Sequence, residues 1–132
     1  MNKPAKTLPH LNNTYQYGLD AESIAANYFR LKGYIALKHR YKTPHGEIDL
    51  IVNQEKEKQL IFVEVKARKR YTSLTHDNLE QLITEKQKKR CIDAANYFMA
   101  ENKVYLDYLA RFDLLFINNN VISLHVSNAW LE

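Results

Sequence analysis

Asp49, Glu64 and Lys66 stand in two predicted strands, at positions where strands ordinarily carry apolar or β-branched side chains. Residues 46–66 read GEIDLIVNQEKEKQLIFVEVK, which predicts an antiparallel hairpin with Asp49 directly opposite Glu64. Directly opposed side chains have Cβ atoms roughly 4.5–5.5 Å apart, so both carboxylates can bind one cation and would otherwise repel each other. These residue types at this spacing indicate a divalent-metal site.

The same register sorts the other hairpin side chains into two faces. Ile51 then faces Phe62 and Asn53 faces Leu60, which leaves residues 54–59 as a polar loop. One face is wholly apolar and is expected to be buried; it consists of Ile48, Leu50, Val52, Ile61, Val63 and Val65. The alternative to a metal site is an ordinary charged hairpin with cross-strand ion pairs. Glu47 opposite Lys66 fits that alternative, whereas Asp49 opposite Glu64 does not.

A helix is predicted over residues 15–32, ending at Gly33. Its expected core stripe follows three- and four-residue spacing through Tyr17, Ala21, Ile24, Tyr28 and Leu31. Glu22 lies off this stripe, stacked with small or apolar residues, so another element can approach it closely. From the residues alone, a site role for Glu22 and a simple preference for acid in the first helical turn are equally good interpretations.

The remaining elements predict an α/β fold. Strands are expected over residues 34–41, 111–117 and 121–126, with turns at 43–46 and 118–120 and a polar connection over 70–78. A capping box, Thr84 with Gln87, opens a second helix that runs to about Ala100 and buries Cys91, Ala94, Ala95 and Phe98. The order α-β-β-β-α-β-β requires a mixed sheet flanked by helices, with the second helix crossing over to a non-adjacent strand.

Several motifs together resemble a known family. Asp49 followed by Glu64-Val65-Lys66 is similar to the PD-(D/E)xK nuclease signature. The wider pattern resembles the YraN family of small bacterial proteins from about Tyr15 to the C-terminus; it comprises Gly18-x-x-x-Glu22-x-x-Ala25, Gly33-Tyr34, Gly46-Glu-Ile-Asp-Leu-Ile51, Phe62-Val-Glu-Val-Lys66, Arg111-Phe-Asp113 and Asn128-Ala-Trp130. Two positions depart from that pattern, because Ala21 stands where Gly is expected and Arg40 where Asn is expected.

The resemblance implies a restriction-endonuclease-like core, similar to that of Holliday-junction resolvases, and a Mg²⁺- or Mn²⁺-dependent endonuclease. It implies that Asp49 and Glu64 hold the metal with help from Glu22 and the Val65 carbonyl, and that Lys66 orients a water or balances phosphate charge. Oxygen ligands favour a hard cation. The substrate implied is nucleic acid, with DNA and its branched forms preferred. The alternative is a catalytically silent nucleic-acid-binding or assembly module with the same fold.

Charge distribution agrees with an anionic partner. The 132 residues carry a net charge of +4, with 45% hydrophobic and 26% charged residues, an ordinary globular composition. The candidate nucleic-acid-binding residues fall in three basic runs: Arg40 and Lys42; Arg68, Lys69 and Arg70; and Lys86, Lys88, Lys89 and Arg90. A solvated face is the better explanation of each run taken separately and the worse explanation of the three together. The run Lys88 to Arg90 is expected to have no acidic partners.

The remaining sequence features concern domain bounds, localisation and assembly. A flexible segment is expected over residues 1–14, followed by a single nuclease-like domain over 15–132. No secretory signal or membrane-length apolar stretch is present, which favours a cytoplasmic protein without a membrane partner. Cys91, the only cysteine, is predicted to be a buried structural thiol, and the five histidines show no paired ligand spacing. A homodimer is the expected assembly if a symmetric junction is cut.

Overall fold

The structure, a computed structural model, describes residues 13–68 and 83–130. The expected flexible segment 1–14 therefore lies almost wholly outside the described residues, as do Lys69, Arg70 and the polar connection predicted over 70–78. Within the described ranges, no helix has both the length and the apolar character needed to cross a membrane.

In the described part of the chain, two long helices and five strands follow one another in the predicted order. Their bounds are α1 Asn13–Leu31, β1 Ile35–Thr43, β2 Gly46–Gln54, β3 Gln59–Arg68, α2 Glu85–Glu101, β4 Leu109–Asn118 and β5 Val121–Trp130, with a short 3-10 helix at Lys103–Tyr105. The strands form one sheet in the order β1-β2-β3-β4-β5. All neighbours are antiparallel except β3 and β4, which are parallel. The α/β fold with a mixed sheet flanked by helices is confirmed and is consistent with a nuclease-like core.

One topological prediction is wrong, because β4 lies directly beside β3 rather than at a non-adjacent position. Parallel neighbours need a crossover of a dozen or more residues, and α2 lies within the connection between them. A crossover of this length returns the chain to the next place in the sheet as readily as to a more distant one.

Helix α1 covers one face of the sheet through small residues. Ala21, Ala25 and Phe29 are buried there against Leu50, Val52, Ile61, Val63, Leu115 and Ile117. The predicted stripe is rotated from this one, since Leu31 is 72% exposed. Two alanines allow the helix backbone to approach the strands closely, and this packing outweighs the larger apolar side chains of the predicted stripe.

Helix α2 covers the opposite face and follows its prediction. Thr84 accepts a hydrogen bond from the Gln87 amide, and the Gln87 side chain accepts one from the Thr84 amide, which confirms the capping box. Its buried residues are those predicted, Cys91, Ala94, Ala95 and Phe98. They pack on a second cluster that includes Ile51, Leu60, Phe62, Phe112 and Leu114. The hairpin is therefore covered on both faces.

The β2–β3 register is confirmed over most of its length. The partners run from Leu50 with Val63 to Gln54 with Gln59, and they include the predicted Ile51–Phe62 and Asn53–Leu60 pairs. Residues 55–58 alone form the turn. The prediction that Ile48 shares a face with Leu50 is wrong, because Ile48 packs in the α2 cluster and Leu50 in the α1 cluster. The strand thus changes face around Asp49, where its ladder with β3 ends.

Candidate metal and nucleic-acid site

A cleft of about 550 Å³ lies beyond the ends of the β2–β3 ladder and reaches both helices. Residues of α1, of the strands β1 to β3 and of the first turns of α2 surround it. The lining comprises Ala21, Glu22, Arg40, Gly46, Glu47, Asp49, Glu64, Val65, Ala67, Gln87, Arg90 and Cys91. The structure therefore brings four of the predicted metal-site residues, Glu22, Asp49, Glu64 and Val65, around one cavity, although they come from separate elements.

Asp49 replaces a backbone partner at the point where the two strands separate. Its Oδ2 accepts a hydrogen bond of 2.8 Å from the Val65 amide. Val65 lies beyond the antiparallel β2–β3 ladder, and it lines the same cleft as Asp49.

Glu64 is the acid whose environment is most perturbed. Burial raises the pKa of its carboxyl to about 8, aided by the charge of Asp49 and by a hydrogen bond between the two side chains, while Lys66 opposes the shift. The Glu64 side chain is 15% exposed. In the metal-free protein, burial and the charge of Asp49 therefore favour the protonated form of Glu64 at neutral pH. The predicted side-chain contact between Asp49 and Glu64 is thus present, although the two residues are not paired in the β2–β3 ladder, which ends at Leu50 and Val63.

Lys66 lies beside the cleft and outside its lining. Its Nζ is 3.6 Å from a Glu64 oxygen, and its side chain is 14% exposed. The contact is along one strand, between residues two apart, and it places a positive charge against the buried carboxyl. In this arrangement Lys66 balances the charge of Glu64.

Glu22 is positioned by α1 and pairs with Arg40 of β1. The Arg40 guanidinium donates to a Glu22 oxygen, and the two side chains are 37% and 15% exposed. Arg40 has a φ of 48°, a left-handed conformation that Asn adopts more readily than Arg. This backbone explains in physical terms why Asn suits the position. Because His39 faces Leu50 and Tyr41 faces Ile48, Arg40 also lies opposite Asp49.

The donor set fits a hard divalent cation in part. Asp49, Glu64 and the Val65 carbonyl are oxygen donors, and the raised pKa of the Glu64 carboxyl beside the Asp49 charge marks a place where positive charge is favourable. Within the described residues, however, no three His, Cys, Asp or Glu side chains form a group that could hold a metal ion. Glu22 lines the cleft while it is paired with Arg40.

The basic run on α2 is only partly directed at the cleft. Lys88 lies 3.1 Å from Glu85, and Lys89 lies 2.7 Å from Asp93, so the expectation that this run has no acidic partners is wrong. Helical spacing of three and four residues brings these partners together. Arg90 instead lines the cleft, whereas Lys86 is exposed at the start of the helix.

The other basic candidates lie on β1, at the end of β3 or outside the described ranges. Lys42 is exposed on β1, which leaves it accessible to a ligand. Arg68 is the last residue of β3, and Lys69 and Arg70 fall outside the described ranges. Among the predicted nucleic-acid-binding residues that the structure describes, Arg40 and Arg90 line the cleft.

Sequence reasoning missed several residues that form the cleft wall. A Cβ added at Gly46 would lie 3.1 Å from Arg90 Cβ and 3.2 Å from the Arg90 carbonyl oxygen, so this glycine lets the β1–β2 turn meet α2. Gln87 was identified only as a helix cap. Cys91 is buried as predicted, and burial raises the pKa of its thiol to about 12, which keeps it protonated.

A second polar cluster, centred on Asp113, lies away from the cleft. Asp113 is fully buried and accepts hydrogen bonds from Arg111, His125 and the Asn128 amide. His125 Nδ1 lies 2.8 Å from the Tyr28 hydroxyl of α1. The chain of contacts ties α1 to β4 and β5. The spacing of the histidines in the sequence does not predict this cluster.

Comparison with known proteins identifies relatives over nearly the whole chain. A family model described as "Uncharacterised protein family UPF0102" matches residues 21–117. A UPF0102 protein of Ehrlichia ruminantium (strain Gardel) is 40% identical over 115 residues, covering 87% of this chain and 84% of the relative. One from Bradyrhizobium diazoefficiens is 37% identical over 128 residues, covering 97% and 91%. The chain therefore belongs to the UPF0102 family, the YraN family that its motifs resemble.

Proposed function

We propose that this protein is a Mg²⁺- or Mn²⁺-dependent endonuclease acting on nucleic acid, with DNA and its branched forms as the preferred substrates. The observation that carries the proposal is the meeting of Asp49 and Glu64 in a cleft lined by Arg40 and Arg90. Two neighbouring carboxylates supply oxygen ligands for a cation, and two guanidinium groups supply phosphate donors in the planar geometry that phosphate matches.

Each residue then has a defined task. Asp49 and Glu64 hold the cation, and the Val65 carbonyl and Glu22 are the further oxygen donors that line the same cleft. A divalent cation there supplies charge to a phosphoryl oxygen and acidifies water. Lys66, 3.6 Å from Glu64, balances the charge of the acidic pair. Arg90 binds and orients the phosphate backbone from the first turns of α2.

A cleavage assay with matched variants tests the proposal. Purified protein is incubated with Mg²⁺ or Mn²⁺ on duplex, single-stranded, flapped and four-way DNA. Asp49→Asn removes the charge while keeping an acceptor for the Val65 amide. Asp107→Asn removes an exposed carboxylate that pairs with Lys58 outside the cleft lining. We expect metal-dependent cutting by wild type and Asp107→Asn and its loss in Asp49→Asn. Full activity of Asp49→Asn would refute the metal-site assignment.

A catalytically silent nucleic-acid-binding or assembly module is the second candidate. It is favoured by the pairing of Glu22 with Arg40 and by the lack, among the described residues, of a ready three-ligand group. The same assay separates the two functions. Salt-dependent binding of these DNA forms without cutting by either ion, at protein concentrations that saturate binding, supports the silent module.

A further inference from the structure

The Glu22–Arg40 ion pair occupies the same cleft as the proposed metal ligands. Glu22 is the less exposed partner, at 15%, and Arg40 lies opposite Asp49 on the neighbouring strand. A guanidinium in this position is a cation already present among the acids. It therefore competes with a metal ion for Glu22, and it also has the donor geometry that phosphate requires.

We propose that Arg40 is a positioning residue that couples metal binding to nucleic-acid binding, an inference that rests on the proposed function. In the ligand-free protein Arg40 holds Glu22. When the cation and a phosphate group enter together, Glu22 turns to the cation and Arg40 turns to the phosphate. Either ligand alone must break the Glu22–Arg40 ion pair, and once one ligand has done so the other binds without that loss. The two sites are therefore positively coupled.

The backbone conformation at Arg40 suits a substitution that removes only the guanidinium. Asn tolerates the left-handed conformation at φ 48°, so Arg40→Asn removes the guanidinium without adding strain. Arg40→Lys retains the charge. Lys38→Gln removes an equal charge from an exposed position two residues away on the same strand. Glu22→Gln and the double variant with Arg40→Asn complete a mutant cycle.

The first measurement is the Mn²⁺ association constant, determined by calorimetry without nucleic acid. We expect Arg40→Asn to raise it about two- to tenfold, the scale of a half-exposed ion pair. Arg40→Lys should remain close to wild type, and Lys38→Gln should show no such rise. In the Glu22→Gln background, Arg40→Asn should give no gain, because the ligand that it would release is absent.

The second measurement is DNA affinity by fluorescence anisotropy, with Ca²⁺ as the hard cation and with chelator in its place. We expect Ca²⁺ to increase the affinity of wild type more than that of Arg40→Asn. An equal increase in both proteins would overturn the coupling. The coupling would also be overturned if Lys38→Gln raised the Mn²⁺ association constant as much as Arg40→Asn does. The same holds if Arg40→Asn still raised it in the Glu22→Gln background, since both results indicate general electrostatics.

Asp49→Asn separates this inference from the proposed function. If wild type binds Mn²⁺ and Asp49→Asn does not, while Arg40→Asn binds as wild type does, the coupling is wrong and the metal site stands. If Mn²⁺ binding by wild type and Asp49→Asn is the same, the proposed metal site and the coupling both fail.

Discussion

At the scale of single residues, Asp49 has two roles that a substitution can separate. Its charge lies against the Glu64 carboxyl, while its Oδ2 accepts the Val65 amide. In the metal-free protein the Asp49 charge is a cost, because it favours a buried Glu64 that holds a proton near neutral pH, whereas the hydrogen bond to Val65 stabilises the place where the strands separate. The two functions of one side chain therefore have opposite effects on stability.

We predict that Asp49→Asn unfolds with a free energy equal to or above that of wild type when metal is chelated. Asp49→Ala should be less stable than Asp49→Asn by about 1 kcal/mol, because the Val65 N–H then loses its acceptor. Urea unfolding in chelator measures both variants. If the Asn variant were the less stable of the two, the Val65 contact would not be the stabilising feature.

At the scale of elements, sequence patterns predicted local structure well and helix orientation less well. The capping box and buried face of α2 follow from local spacing, and the β2–β3 register follows from hydrophobic alternation. The buried face of α1 was predicted only in part, because Ala25 gives little hydrophobic signal and Phe29 lies off the predicted stripe, whereas Ala21 is buried as predicted. The change of face around Asp49 coincides with the left-handed Arg40 opposite Asp49, which alternation along one strand cannot reveal.

The candidate site was likewise predictable where it depends on local sequence and not where it depends on contacts between elements. Asp49 and Glu64 were predictable from one hairpin, since their register depends only on residues close in sequence. Gly46 and Gln87 join the cleft only because α2 packs on the hairpin, and the pairing of Glu22 with Arg40 depends on how α1 meets β1. Contacts between elements decide which charged residues are available to a ligand.

Neighbouring residues of α2 give a prediction at this scale. Arg90 lines the cleft, whereas Lys89 is 71% exposed and pairs with Asp93. We predict that Arg90→Gln lowers duplex affinity and reduces the log–log salt slope by roughly 0.9, the effect of one phosphate contact. Lys89→Gln, which removes the same charge one residue away, should change the slope less. Equal slopes in a salt titration would show that the cleft does not direct binding.

At the scale of the whole molecule, the Asp113 cluster joins elements that the cleft does not. A carboxylate can only accept, so His125 Nε2 donates to Asp113 at 2.7 Å, and in a neutral ring Nδ1 accepts the Tyr28 hydroxyl proton. Arg111 contributes two further hydrogen bonds, of 2.9 and 3.1 Å. The cluster links α1 to the half of the sheet that follows the crossover, so we expect its loss to affect global unfolding.

Protonation of Asp113 gives this expectation a pH dependence. Burial alone would raise the pKa of Asp113, but hydrogen bonds from His125, Arg111 and the Asn128 amide outweigh it and hold the pKa below its usual range. The unfolded chain therefore binds this proton at a higher pH than the folded protein does. The stabilisation is complete above the ordinary carboxyl pKa of about 3.9 and is lost as the pH falls through the lower folded value.

We therefore predict that Asp113→Asn lowers the unfolding free energy at pH 7 by about 2–4 kcal/mol, because it leaves the buried ends of Arg111 and His125 without their anion. The loss relative to wild type should shrink as the pH is lowered below about 4, since wild-type Asp113 is then also neutralised. Thermal unfolding between pH 2 and 7 measures both effects, with Asp93→Asn on the surface of α2 as the matched control. A difference between wild type and Asp113→Asn that stays constant across this range would show that the carboxylate charge does not stabilise the cluster.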